Sequence, residues 1–159
     1  MHSAPYMGRT YTNINVHIIF HIKCSECEMI EEDLPEIFRY IGGLVRNLSG
    51  YAFMIGGRTD HIHILSSLPV TTSLSDFVSR IKSNTSRWIK GLGVQYQNFS
   101  WQEGYGAFSV SASNKQAVID YISNQKEHHN KLSTQEEFMV FLKKHGLQLN
   151  PRVENQDNG

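Results

Sequence analysis

The sequence predicts an α+β fold: a ferredoxin-like or RRM-like antiparallel sheet of about four strands, with helices on one face and an appended C-terminal helix that carries a tyrosine. Three observations predict it. Apolar residues alternate with period two over residues 11–23 and again from residue 61, as strands require. Residues 34–48 and 74–89 instead repeat apolar side chains every three or four positions, the period of amphipathic helices. The resulting order is β-α-β-β-α-β, followed by further helical segments.

Composition sets the frame for this reading. With 159 residues, 40% apolar and 11% aromatic, the chain can bury the core of one domain, placed at residues 10–147. Residues 1–9 and 150–159 are expected to be disordered tails. Fifteen basic residues balance fifteen acidic ones, so total charge does not announce a nucleic-acid partner, and any such surface must arise by local clustering. The first thirty residues lack the basic start, apolar core and small-residue cleavage site of a signal peptide. The longest apolar run is interrupted by His17 and His21, so no membrane span is expected.

In the first strand, Ile14, Val16, Ile18, Phe20 and Ile22 share one face and Asn15, His17, Ile19 and His21 the other. Cys24 and Cys27 follow as a single C-x-x-C. A closed structural zinc site needs four ligands, so two reduced thiols in a loop are expected. The first helix places Leu34, Ile37, Phe38, Ile41, Leu44, Val45 and Leu48 on its buried stripe, with Glu31, Glu32 and Asp33 supplying negative charge at its N-terminus. Residues 51–55 read as the second strand, Gly56-Gly57-Arg58-Thr59-Asp60 as a turn, and residues 61–68 as the third strand. Asp60 is read as a turn residue, with orientation of an imidazole as its other possible role.

Ser73 and Asp76 form a capping pattern for the second helix, whose apolar face holds Leu74, Phe77, Val78, Ile81, Trp88 and Ile89. Arg80, Asn84 and Arg87, flanked by Lys82, Ser83 and Lys90, make the best basic patch of the chain, suited to backbone phosphates. Its bland reading is a solvated helix face. Residues 91–100 read as a loop and 106–111 as the fourth strand, with Trp101, Tyr105 and Phe108 able to stack on unpaired bases. At least two of those three are expected to be packing residues. Ser113 and Gln116 have capping spacing for a helix running to about residue 129 and burying Val118, Ile119 and Ile122; Thr134 and Glu137 repeat that spacing for a last helix ending near Gly146.

Two constellations carry chemistry. In Asp60-His61-Ile62-His63, strand alternation projects His61 and His63 from one face, as two ligands of a metal site. On the later helix, Tyr121 and Gln125 are four apart and so lie side by side, a phenol next to an amide oxygen. Alone, a His-x-His pair is more often structural and a helical tyrosine is usually a packed surface residue. Their joint occurrence is what points to a site.

Together with Val16-His17-Ile18-Ile19-Phe20, Trp101-Gln102-Glu103-Gly104-Tyr105-Gly106-Ala107-Phe108 and Tyr121 to His129, these residues resemble the single-tyrosine transposases of the insertion-sequence 200/605 kind, in the His-hydrophobic-His endonuclease class, over residues 10–147. The resemblance implies an enzyme that cleaves and rejoins single-stranded DNA at hairpin-bearing element ends, with Tyr121 as nucleophile and a 5′-phosphotyrosine intermediate. It implies one divalent ion, Mg²⁺ or Mn²⁺, held by His61, His63 and Gln125, and a cytoplasmic, prokaryotic setting. A homodimer is implied too, with one subunit's tyrosine helix serving the other's histidines. Thr59 stands where such proteins often carry proline. His128 and His129 match the pattern without a chemical role. The alternatives are a domesticated enzyme acting on repeated palindromes and a non-catalytic single-stranded nucleic-acid-binding module.

Overall fold

The computed structural model describes residues 8–125 and 132–146, so the expected tails and His128 and His129 lie largely or wholly outside it. Four strands form one antiparallel sheet: β1 (Asn15–His21), β2 (Ala52–Arg58), β3 (His61–Ser67) and β4 (Gly106–Val110), in the spatial order β2-β3-β1-β4. The helices are α1 (Leu34–Asn47), α2 (Leu74–Lys90), α3 (Lys115–Ser123) and α4 (Thr134–Lys144). This is the expected α+β architecture. Among the described residues, no helix is long and apolar enough to cross a membrane.

Strand alternation divides the sheet into two chemically different faces. Val16, Ile18, Phe20, Ile22, Ile62 and Ile64 pack against Ile37, Ile41 and Val45 of α1 and Phe77, Val78 and Ile81 of α2 in the main core. The opposite face carries His17, Ile19, His61, His63, Leu65, Phe108 and Val110, and α3 and α4 lie over it. Ser73 caps α2 as expected, its hydroxyl accepting from the Asp76 N–H at 3.1 Å.

Several boundaries differ from expectation, each for a local reason. Strand β2 runs through Gly56 and Gly57 to Arg58, which pairs with His61, so only Thr59 and Asp60 form the turn. Each glycine has its own reason to be one: a Cβ on Gly56 would stand 2.7 Å from the Ile122 carbonyl oxygen of α3, and Gly57, at a φ of +150°, lies too close to the His61 backbone of β3 for any side chain. Residues 91–100 are irregular except for a 3₁₀ turn, but they are not merely a connector, since Tyr96 and Phe99 are fully buried. The Tyr96 hydroxyl donates to Asp33 Oδ2 at 2.6 Å and accepts the Ile30 N–H at 2.8 Å, tying that loop to the start of α1.

Helix α3 ends at Ser123 with Asn124 as its C-cap, Gln125 is again helical, and the rest of the expected stretch to residue 129 lies outside the described residues. No side-chain bond from Ser113 caps it, because residues 112–114 form their own 3₁₀ turn. The cap of α4 is Ser133, which accepts from the Glu136 N–H, one residue earlier than the expected pairing of Thr134 with Glu137. That shift frees Glu137 from capping and turns it inward.

Candidate active site

The hairpin between β2 and β3 launches the two histidines. His61 pairs across the sheet with His21, and His63 with Ile19, so both imidazoles stand in the centre of the polar face, each only 1% exposed. Each has a neighbour that fixes its ring. His61 Nδ1 lies 2.7 Å from Asp60 Oδ1, and Asp60 Oδ2 accepts from Thr134 Oγ1 at 2.8 Å. Asp60 is therefore both turn residue and imidazole anchor. With Nδ1–H given to that carboxylate, the Nε2 lone pair turns towards Gln125 and Glu137. His63 Nδ1 lies 2.8 Å from His17 Nε2, so the first-strand histidine is a support for the second. His17 is held well below the ordinary histidine range by burial and then by His63, and His21, stacked on His61, is lowered to about 4 by burial and then by His61.

From the other side, α3, the residues just past it and α4 bring three further groups. Gln125 Oε1 lies 3.0 Å from His61 Nε2, while its Nε2 donates to Glu137 Oε1 at 3.0 Å. The Tyr121 hydroxyl donates to the same Glu137 oxygen. That oxygen is 3.5 Å from His63 Nε2, and Glu137 Oε2 is 3.9 Å from His61 Nε2. The structure thus brings together all four predicted residues, His61, His63, Tyr121 and Gln125, around a fifth that the sequence reading took for a capping residue. The available signal was that Glu137 precedes Phe141 by one turn and so shares its apolar face.

The donor set suits a divalent cation. His61, His63 and Glu137 offer ligand atoms all within 4.8 Å of one another, all buried, and the Gln125 amide oxygen adjoins them. Two imidazole nitrogens with a carboxylate and an amide oxygen form a mixed nitrogen and oxygen set of borderline hardness. Burial would raise the Glu137 carboxyl, but the facing His63 imidazole and hydrogen bonds from Tyr121 and Gln125 outweigh it and hold the group well below the usual carboxylate range. The Tyr121 phenol is pushed far above its ordinary value by burial and by donating to that carboxylate. As arranged, Glu137 keeps the proton on Tyr121. The Tyr121 ring stands edge-on to His63 at 5.8 Å in the same chain, and Phe141 closes over both it and His17. Among the described residues of one chain the Tyr121 ring and both histidines already meet, and service of these histidines by a partner's tyrosine stays an expectation.

The basic patch lies elsewhere. Helix α2 packs on the other face of the sheet, so Arg80, Arg87 and Lys90 are exposed in the layer away from the histidines. Asn84 Nδ2 donates to the Arg80 carbonyl at 2.8 Å, and Lys82 Nζ donates to the carbonyls of Gln102 at 2.8 Å and Gly104 at 2.6 Å. Of the three candidate stacking aromatics, Trp101 and Phe108 are buried at 9% and 4%, and Tyr105 is 41% exposed. Two are packing residues, as expected.

Comparison with known proteins bears on the family and the fold. A family model described as "Transposase IS200 like" matches residues 10–125. Among solved structures, a candidate transposase from Deinococcus radiodurans R1 has a TM-score of 0.57 at 18% identity, covering 74% of this chain and 95% of that one. A REP-associated tyrosine transposase bound to a REP hairpin has a TM-score of 0.57 at 16% identity, covering 78% of this chain and 74% of that one. No curated protein sequence matches.

Proposed function

Because the chain belongs to the IS200-like transposase family, we propose that it cleaves and rejoins single-stranded DNA beside hairpins, with Tyr121 as nucleophile and His61, His63, Gln125 and Glu137 as the ligands of one divalent cation. The observation that carries this reading is the convergence of Tyr121, Gln125 and both histidines on the Glu137 carboxylate, from segments far apart in sequence. The solved REP-associated relative, bound to a REP hairpin, supports the hairpin element of the proposal.

When bound, Mg²⁺ or Mn²⁺ would supply Lewis-acid polarisation of a phosphate oxygen. The chain's own groups do the rest. Asp60 and His17 hold the imidazoles in place, and the carboxylate that binds the Tyr121 hydroxyl aligns it. In the reaction, a bond forms between the Tyr121 oxygen and phosphorus while the bond from phosphorus to the 3′ oxygen breaks. The phenolic proton is released to solvent as the hydroxyl leaves Glu137 for phosphorus, and the departing oxygen takes up a solvent proton to become a 3′-hydroxyl. The aryl phosphodiester left on Tyr121 conserves the bond for rejoining, which attack by water would discard.

Incubating the protein with labelled hairpin DNA and Mn²⁺ tests this. A complex that survives denaturation is expected, and it should be absent for His61→Ala and His63→Ala chains that remain folded. Undiminished cleavage by the double histidine variant contradicts the metal site. Hairpin binding by the intact protein with no cleavage under any divalent ion would favour the non-catalytic binding module instead.

A further inference from the structure

Next to the histidine and tyrosine cluster is a second cavity, of about 560 Å³, that the chemistry above does not use. It lies between the end of β1, the loop leading into β4 and the start of α4, and its walls include His21, Gln102, Glu103, Tyr105 and Phe138. Its volume is within the ~300–1,000 Å³ of pockets that enclose small ligands.

The cavity adjoins the candidate metal ligands through shared side chains. Asp60, which holds His61, also lines the cavity, and His21 lies against His61 at 5.4 Å and Phe138 at 5.6 Å. The outer wall is fixed in place. Lys82 holds the carbonyls of Gln102 and Gly104 from below, and the Gln102 N–H donates to the His21 carbonyl at 2.8 Å. On that wall Tyr105 presents an aromatic ring that the core does not use, being 41% exposed where Trp101 and Phe108 are buried. The charges lining the space are mostly acidic, Glu28, Asp60 and Glu103 against Lys23, which disfavours a second phosphate and suits an uncharged, flat, hydrogen-bonding group.

Resting on the reading of the site as a single-strand DNA cleavage centre, we infer that this cavity receives the base of one unpaired deoxynucleotide next to the phosphate attacked by Tyr121. Tyr105 supplies the stacking surface, and Gln102 and Glu103 supply the polar groups that face the base edge. The cavity selects for a nucleotide at one position of the strand, so it bears on where the strand is cut.

An abasic scan tests it. The Tyr121→Phe chain, which keeps the DNA intact, is bound to a hairpin oligonucleotide with a single-stranded flank in which one abasic site is moved nucleotide by nucleotide. One position within about two nucleotides of the cleaved bond should weaken binding about tenfold. Adding Tyr105→Ala should remove that positional penalty, and Tyr105→Phe, which keeps the ring, should retain it. Equal penalties with and without the Tyr105 ring, or none at any position, overturn the inference. Wild-type adduct formation measured in parallel separates the two failures: an adduct without positional coupling to Tyr105 rejects the cavity alone, whereas neither adduct nor binding rejects the cleavage reading with it.

Discussion

Glu137 carries a carboxylate into a region where it is only 5% exposed, and its partners make that burial tolerable: a phenol, an amide N–H and an imidazole all face it. Its removal should show first in metal affinity. Glu137→Gln preserves the shape of the side chain and should lower Mn²⁺ affinity by at least tenfold in a calorimetric titration. Asp60→Asn, which loosens the grip on His61 Nδ1, should cost 10–100-fold by the same measurement. Unchanged affinity in both variants would contradict the assigned ligand set. The histidine pair, Tyr121 and Gln125 were legible in the sequence because strand alternation puts the histidines on one face, Tyr121 and Gln125 stand four apart, and the two constellations occur together in the order of a known family. Glu137 was not, since Ser133 with Glu136 and Thr134 with Glu137 satisfy the same capping spacing, and only the packing of α4 against the histidine face selects between them. Tyr96 was hidden for a related reason: nothing in the run 91–100 signals burial. Burial, followed by its hydrogen bond to Asp33, pushes its phenol up to about 12. An unfolded tyrosine ionises near pH 10. The unfolded chain therefore releases that proton first, and stability should fall as pH rises from about 10 to about 12. Urea midpoints at pH 9 and pH 11 should drop further for the wild type than for Tyr96→Phe.

At the level of elements, the contact between α3 and β2 sets where the nucleophile stands. Gly56 permits it, because any side chain there would meet the Ile122 carbonyl oxygen at 2.7 Å or the Ile122 side chain at 2.9 Å. Gly56→Ala should force α3 away, costing about 1–3 kcal/mol in urea unfolding, and should lower adduct formation because Tyr121 is one residue from the contact. A fully stable and fully active Gly56→Ala chain would refute this account of how α3 is positioned. The sequence placed every strand and helix of the described sheet domain, but not the interruption of α3 at Asn124, after which Gln125 is again helical. It likewise read the two glycines of β2 as a turn, because the helix that requires Gly56 is contributed by a segment about sixty residues away. Helix α2 was read correctly down to its Ser73 cap, and its exposed Arg80 and Arg87 remain proposed phosphate contacts. If they are, Arg80→Ala and Arg87→Ala should each reduce the salt slope of DNA binding by about 1.

In the whole molecule, the sheet separates two surfaces, an apolar face closed by α1 and α2 and a histidine face closed by α3 and α4. One chain supplies the histidines, the glutamine, the glutamate and the tyrosine. If each tyrosine serves its own chain, mixing a Tyr121→Phe chain with a His61→Ala chain should restore no activity; a homodimer is our proposal, and light scattering should then give twice 18.2 kDa. Restored activity in the mixture would mean that tyrosines exchange between subunits. The fold class was readable at this scale because element order and alternation determine it, whereas which subunit's sheet a tyrosine serves depends on connections that periodicity does not encode. The measurement that bears most directly on the central claim is the identity of the residue joined to DNA. Wild-type protein is incubated with hairpin DNA and Mn²⁺, digested with trypsin and analysed by mass spectrometry. The nucleotide should be found on the peptide at Tyr121 through a 5′-phosphate, and Tyr121→Phe should bind the same DNA nearly as well yet form no adduct. An adduct on Tyr105, or normal cleavage by Tyr121→Phe, would contradict the account.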